Sequence, residues 1–334
     1  MNNSSTNQST ILKHGQTLLF GVSIHGARHL QDNTPCQDAN KISTTEDGLI
    51  VLAVADGHGD VKHPRSDEGS VIAVNVATQL LSSALKAIED QPNKSPKELE
   101  QVLANNLPRR LSWEWNKAVR TLLSTESEGV ETIEGSDGEW FPDLVLFGTT
   151  ILVAAVGKEK ALLLQLGYGD VLKLTHQGDF ISLFQEDDTL FGTLTHSLCQ
   201  STAPSNAQIR CIELNDTRGL FLSTDGMRDC LNGELDKHQK VIRWLLQKHA
   251  KNNKQKKIQT TSFTENSAPQ ATKSEQGPIQ RTEQDLSSEH FFLEKELPTW
   301  LSKLSAQGNG DDISLAFALF PLSLTFTPTT TQDL

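Results

Sequence analysis

The run GLIVLAVAD, residues 48–56, is apolar, β-branched and too short for a buried helix, yet it ends in a carboxylate. The same junction recurs along the chain. Asp170 closes LLLQLGYGD, Asp225 closes LFLSTD, and Asp311 and Asp312 open DDISLAFALF. A carboxylate beside a buried strand costs free energy unless something pairs with it. These junctions therefore predict convergence on a positive group, and carboxylate oxygens suit Mg²⁺ or Mn²⁺ better than a thiolate-loving metal. Gly57 and Gly59, on either side of His58, let a backbone carbonyl approach an ion. Taken singly, an Asp-Gly after a strand is often only a turn, and a lone His58 is more often structural. DGHGDVKHPRSD is not an EF-hand calcium loop, because its sixth position is Val61 rather than Gly and its twelfth is Asp67 rather than Glu. A zinc site lacks suitably spaced partners.

The 334 residues are ample for a sizeable core. Hydrophobic residues make up only 36% and mean hydropathy is -0.38, which predicts unstructured segments diluting a globular domain. A net charge of -12 argues against a general nucleic-acid or anionic-membrane binder, since both need basic surface. Cys36, Cys199, Cys211 and Cys230 form no C-x-x-C pair and read as free thiols of a reducing, cytoplasmic setting. The N-terminus lacks a signal-peptide pattern, and no run reaches the ~18 consecutive apolar residues of a membrane helix.

Residues 1–15 are polar and are expected to be disordered, ahead of one domain over 16–322. Strands are predicted at 17–27, 48–56, 148–157, 161–174, 209–215 and 219–226, with a last one in DDISLAFALF. The 148–157 and 161–174 strands read as a hairpin, and 209–215 and 219–226 as a second pair. Helices are predicted over 66–90, capped by Ser66 or Asp67, over 95–124 with a break near Pro108, around 237–250, and in EHFFLEKELPTWLSKLSAQ. Residues 125–143 form an acidic loop, 251–287 a low-complexity disordered insert, and 323–334 a flexible tail. Grouped strands with grouped helices imply an α+β layered domain.

Six pieces then occur in a telling order: CQDAN (36–40), VADGHG (54–59), FGTTILVAAV (147–156), GYGDVLKL (167–174), LSTDGMRDCL (222–231) and GDDISLAFAL (310–319). Together they resemble the metal-dependent, type 2C serine/threonine protein phosphatase family, and GARHLQDNTPCQDAN is most similar to its bacterial branch. The resemblance implies a four-layer α-β-β-α sandwich with two central antiparallel β-sheets and a metal site at one end of them. It implies that Asp56 bridges two Mg²⁺ or Mn²⁺ ions, that the Gly57 carbonyl binds one of them and that Asp225 and Asp311 hold the other. Asp38 would sit on the first ion or its water. Asp170 and Asp229, with Asp225, would match a weaker third metal site. His58 would be the general acid beside the leaving oxygen, from an ordinary imidazole pKa of ~6.5.

The chain departs from the family pattern in places. Gln37 stands where many members have Glu. The usual phosphate-clamping Arg has no clear counterpart. Arg28, ten residues before Asp38, is the candidate, and Arg65 also lies near the loop. Asp312 replaces the more usual Asn, which leaves Asp311 favoured as the ligand. The resemblance implies a metal-dependent phosphatase acting on phosphorylated proteins, with a cognate serine/threonine kinase as partner; the chain is expected to be a cytoplasmic monomer that binds neither nucleic acid nor membrane. The competing readings are a non-catalytic relative that binds a phosphoprotein or kinase, and a phosphatase of small molecules.

Overall fold

Successive residues of a strand point to opposite faces, so a strand that is apolar without interruption must be covered on both sides. The structure, a computed structural model, describes residues 8–91, 93–126, 133–134, 140–141, 144–185, 195–231, 237, 239–244, 246–247 and 292–321. The first half of the chain contains β1 (Gln8–His14), β2 (Thr17–Ile24), α1 (Ala27–Asp32), β3 (Ala39–Thr44), β4 (Ile50–Ala55), α2 (Ser66–Glu89), α3 (Pro96–Ala104) and α4 (Leu107–Thr125). A two-stranded ribbon, β5 (Ile133–Glu134) and β6 (Trp140–Phe141), follows. Next come β7 (Ile151–Val156), β8 (Lys160–Leu166), β9 (Asp170–Leu174), β10 (Phe180–Ser182), α5 (Ala203–Asn206), β11 (Gln208–Glu213) and β12 (Gly219–Ser223). The chain closes with α6 (Asp225–Asp229), α7 (Leu297–Gln307) and β13 (Ile313–Leu319).

One sheet runs β1-β2-β13-β12-β9-β10 and the other β11-β8-β7-β4-β3, with all neighbours antiparallel. The alternation of the strands divides the buried residues into three layers of packing. Val51, Ala53 and Ala55 of β4 face α2 and α4, against Ala73, Ala77, Leu81, Leu111 and Trp115. Leu52 and Val54, on its other face, meet Leu222, Ala316 and Ala318 of the opposite sheet. Beyond that sheet, Phe20, Leu315 and Phe317 pack on Leu297 and Leu301 of α7. The result is the four-layer α-β-β-α sandwich of an α+β protein. Each buried Leu or Phe in these layers contributes about 1.5–3 kcal/mol. The 24-residue α2 is long and apolar enough to cross a membrane by length and composition, but its apolar side lies on β4 and β7, as a core helix does.

Local rules explain the helix boundaries. The 95–124 region is two helices. Ser95 begins the first with a capping box, and Pro108 lies in the first turn of the second, where its missing N–H costs nothing. At α2 neither expected cap operates. Arg65 precedes the first turn without a side-chain cap, and Ser66 Oγ instead accepts a 2.7 Å hydrogen bond from Gln37 Nε2.

The structure corrects three sequence expectations. Residues 8–14 are not disordered: they pair with 17–24 in register from Gln8↔Ser23 to His14↔Thr17 as an edge strand, where a polar face is tolerated. The 161–174 run is two strands in different sheets. Gly167 and Gly169, at φ +87 and +131, turn the chain from one sheet to the other, a corner that β-branched residues resist. The 209–215 and 219–226 runs do not pair with each other, since β11 joins β8 and β12 lies between β9 and β13. In the helix expected near 237–250, the described residues 237, 239–244 and 246–247 are helical. The insert 251–287, the tail 323–334 and most of the acidic loop 125–143 lie outside the described residues.

Candidate active site

The sequence-predicted carboxylates lie at one end of both sheets. Asp38 directly precedes β3 and Asp56 directly follows β4, and these strands meet at Ala39↔Ala55. In the other sheet Ser223 of β12 pairs with both Asp170 and Leu315, so β12 delivers Asp225 while β9 starts with Asp170 and β13 follows Asp311 and Asp312. Asp225 and Asp229 occupy one turn of α6, as their four-residue spacing predicts.

Thr224 joins the two sheets at this end. Its hydroxyl donates to Asp38 Oδ2 at 2.7 Å and accepts from Ser314 N–H at 2.9 Å. The Asp56 backbone is pinned from three directions: its N–H donates to Thr150 Oγ1, and its carbonyl accepts from Thr150 N–H and Thr149 Oγ1. Gly57 N–H donates to the Gln37 carbonyl at 3.1 Å. A Cβ on Gly57 would stand 2.6 Å from the carbonyl oxygens of Gln37 and Ser66, so no larger residue fits here.

The carboxylates differ sharply in electrostatic setting. Burial pushes the Asp56 carboxyl well above the usual range, and the charges of Asp225, Asp38 and Asp311 push it further. Asp38 is raised by burial and then by Asp312. Asp225 is pushed up to about 6 by burial and by Asp229, against a hydrogen bond with Asp56. Asp312 moves the other way. Burial raises it, but His29 and the N–H groups of Gly26 and Gln37, each 2.6 Å away, outweigh that and lower it. His29 Nδ1 lies 3.0 Å from Asp312 Oδ2, within ion-pair range though not aligned as a hydrogen bond, and this contact raises the imidazole pKa. Asp312 therefore ties the loops at Gly26 and Gln37 to β13. Asp311 remains partly exposed beside Arg28, 3.9 Å away, and His29, 3.6 Å away.

The donor set fits hard divalent cations, being all oxygen, largely buried and self-repelling. Among the described residues no three of these side chains already stand as an ion cage, and Asp56 and Asp225 act on each other as neighbouring carboxyls instead. Gln37, at the position where Glu is more usual, donates from Nε2 to the His58 carbonyl at 3.2 Å as well as to Ser66, while its buried Oε1 has no hydrogen-bond partner. It fastens the His58 loop to the start of α2 and leaves a neutral acceptor over.

His58 packs edge-on against His63, with ring centroids 4.9 Å apart. Burial and then His63 lower its pKa to about 4, so the imidazole is neutral at pH 7 rather than poised near 6.5. Of the two arginines, Arg65 is bound to Glu68 and Glu126 at 2.6–2.9 Å and lies over the Phe147 ring, whereas Arg28 is mostly exposed. Sequence reasoning missed His63 and Arg228. His63 is signalled only by two histidines in one short loop, and Arg228 by a cation within the helical turn of Asp225 and Asp229. A cavity of about 670 Å³ opens at the far end of the sandwich, between Lys158, Lys160, Glu159 and Glu213. Its two carboxylates stand among lysines rather than gathered against one another, unlike those at the opposite end.

The family model described as Protein phosphatase 2C matches residues 25–261. The serine-threonine phosphatase 2C of Toxoplasma gondii is similar over 95% of this chain and 100% of its own, at 12% identity and a TM-score of 0.50. A C. elegans sex determining protein is similar over 90% of this chain and 64% of its own, at 15% identity and a TM-score of 0.50. The S. agalactiae serine/threonine phosphatase covers 95% and 100%, at 13% identity and a TM-score of 0.47. At such identities the likeness concerns the fold. No curated protein sequence matches the chain significantly.

Proposed function

Because the chain belongs to the protein phosphatase 2C family, we propose that it hydrolyses phosphoserine and phosphothreonine in proteins with the help of Mg²⁺ or Mn²⁺. The observation that carries this reading is the gathering of Asp38, Asp56, Asp225 and Asp311 at one end of the sandwich, with Asp38 and Asp56 buried and, among the described residues, in no ion pair. These four, with the Gly57 carbonyl, would hold the ions. When bound, such ions supply positive charge to the phosphoryl oxygens and an activated water for in-line attack.

The remaining work falls to the chain. Asp312, through Gly26 and Gln37, fixes the loops that carry Arg28 and Asp38. Arg28 projects from α1, mostly exposed and 3.9 Å from Asp311, and would be the guanidinium that forks onto a phosphate. The neutral His58 gains proton affinity when a phosphate dianion arrives beside it, and the imidazolium can then protonate the serine or threonine oxygen as it leaves. Such a proton transfer contributes about 10²–10⁴-fold. Gly148, whose carbonyl accepts from His58 N–H at 3.1 Å, and Val145, whose carbonyl is bonded to His63 Nδ1, hold this pair of rings in place. The substrates are phosphorylated proteins, and the kinase that makes them is the natural partner.

One observation favours a second reading, a non-catalytic module that binds a phosphoprotein or kinase: Gln37 offers an amide where a charged ligand is more usual. The two separate on hydrolysis of a phosphothreonine peptide with Mn²⁺, with Mg²⁺ and with excess EDTA, alongside Asp56→Asn. Metal-dependent turnover that the variant loses supports the enzyme. Tight phosphopeptide binding without turnover in either metal supports the module.

A further inference from the structure

The resemblance implies a weaker third ion on Asp170, Asp225 and Asp229, and the geometry at this position disagrees. Asp170 and Arg228 line one narrow cleft with Gln165, Tyr168 and Asn206. Arg228 Nη1 stands 3.5 Å from Asp170 Oδ1, with the two side chains only 13% and 6% exposed. Arg228 lies on α6 between Asp225 and Asp229, and its charge favours the ionised form of both. One guanidinium therefore pairs with Asp170 from the same helical turn that carries Asp225 and Asp229.

The backbone explains how it gets there. Gly169 brings β9 so close to β12 that a Cβ would stand 2.7 Å from the Ser223 carbonyl oxygen. Asp170 consequently begins its strand directly beside Ser223, at the foot of α6. A guanidinium suits such a buried position. It stays charged at any accessible pH, is weakly hydrated, and can fork between carboxylates. A divalent ion arriving here would have to strip its water and sit against a fixed positive charge.

We propose that Arg228 takes the place of the third ion, so that this chain binds its divalent cations without one at Asp170, Asp225 and Asp229. The inference rests on the metal-dependent reading above, but its test counts ions rather than turnover. Mn²⁺ binding is measured by electron paramagnetic resonance of the free ion, from micromolar to millimolar, on the full chain, on Arg228→Met and on Asp170→Asn. Methionine keeps most of the buried stem and removes the charge. The expected result is two Mn²⁺ for the parent, an unchanged count for Asp170→Asn, and one additional weak site in Arg228→Met that disappears when Asp170→Asn is added. A third weak ion in the parent that Asp170→Asn removes overturns the proposal. So does a folded Arg228→Met that gains no ion. If Arg228→Met does not fold, the Asp170→Asn count decides alone. A parent that binds no Mn²⁺ sinks the metal-dependent reading, while a gain in Arg228→Met still separates the two questions.

Discussion

Asp56 and Asp312 lie at the same end of the same sandwich, both removed from water, and their surroundings treat them in opposite ways. Asp312 has two backbone N–H groups and an imidazole, and its carboxyl is held below the usual range. The charges that act most on Asp56 are those of other carboxylates, and it is held well above. Asp170, with Arg228, belongs with Asp312, whereas Asp38 belongs with Asp56. A buried carboxylate whose charge is met by a cation or a set of N–H groups of the chain is a structural joint. One whose partner must come from outside is a binding group. Neighbours separate the two kinds, even though all are aspartates at strand ends.

The comparison breaks most visibly at Asp56. Asp56→Asn is expected to lose at least about 10²–10³-fold in metal-dependent phosphopeptide hydrolysis, yet its melting temperature in EDTA should equal or exceed the parent's, because a repelling buried charge has gone. An Asp56→Asn protein less stable than its parent in EDTA would place Asp56 among the joints. Asp312→Ala should do the reverse to stability, costing about 3 kcal/mol in urea unfolding, since it leaves the His29 imidazole and two buried N–H groups without their acceptor. Gly57→Ala comes next. Its Cβ meets two backbone oxygens, and about 1–3 kcal/mol of overpacking strain should appear in the same denaturant series.

A pH series sharpens the contrast further. Groups raised on folding, Asp56, Asp38 and Asp225, hold protons more tightly in the native state. Metal-free stability should therefore fall as pH rises from about 4 through 6, the range between the ordinary carboxyl value and that of Asp225. Asp312, lowered on folding, contributes stability present above the ordinary carboxyl pKa and lost as pH falls through its own. His58, lowered to about 4, opposes the fall over the same interval, but as one group against three, so melting curves in EDTA should show a net negative slope, which Mn²⁺ flattens by neutralising the carboxylates. A positive slope in EDTA contradicts the assignment of the raised groups. The smallest effect belongs to Arg65→Met. Its partners Glu68 and Glu126 are partly exposed, so about 1 kcal/mol or less should be lost, with no change in KM for a phosphopeptide.

Much of this was legible in the sequence because burial on both faces writes itself as an unbroken apolar run. VLAVA and ILVAAV are strands on that ground alone, and the aspartates at their ends mark one edge of the sheets. Pairing was harder. The glycines at 167 and 169 read equally well as a kink within one strand or as a corner between sheets, and only the second lets β8 and β9 part. β1 was missed because an edge strand needs little apolar surface. Within the site, the family pattern favours Asp311 as the ligand, but no sequence pattern shows that Asp312 meets Gly26 and Gln37, or joins Arg228 to an aspartate 58 positions earlier. Those are tertiary facts, set by which loop each side chain meets.

Thr224 carries a consequence for mechanics. Its hydroxyl links the end of β12 to Asp38 in the opposite sheet, so the site straddles a seam between two slabs rather than resting on either. The separation of those slabs is set by what fills the space between them, where Ala154, Ala161, Ala316 and Ala318 are small residues. The gauge of the site is thus cut in the interior. Enlarging one of these alanines would wedge the slabs apart and spread the carboxylates without altering any of them. Residues that never touch a substrate would then decide which ion radius the site accepts.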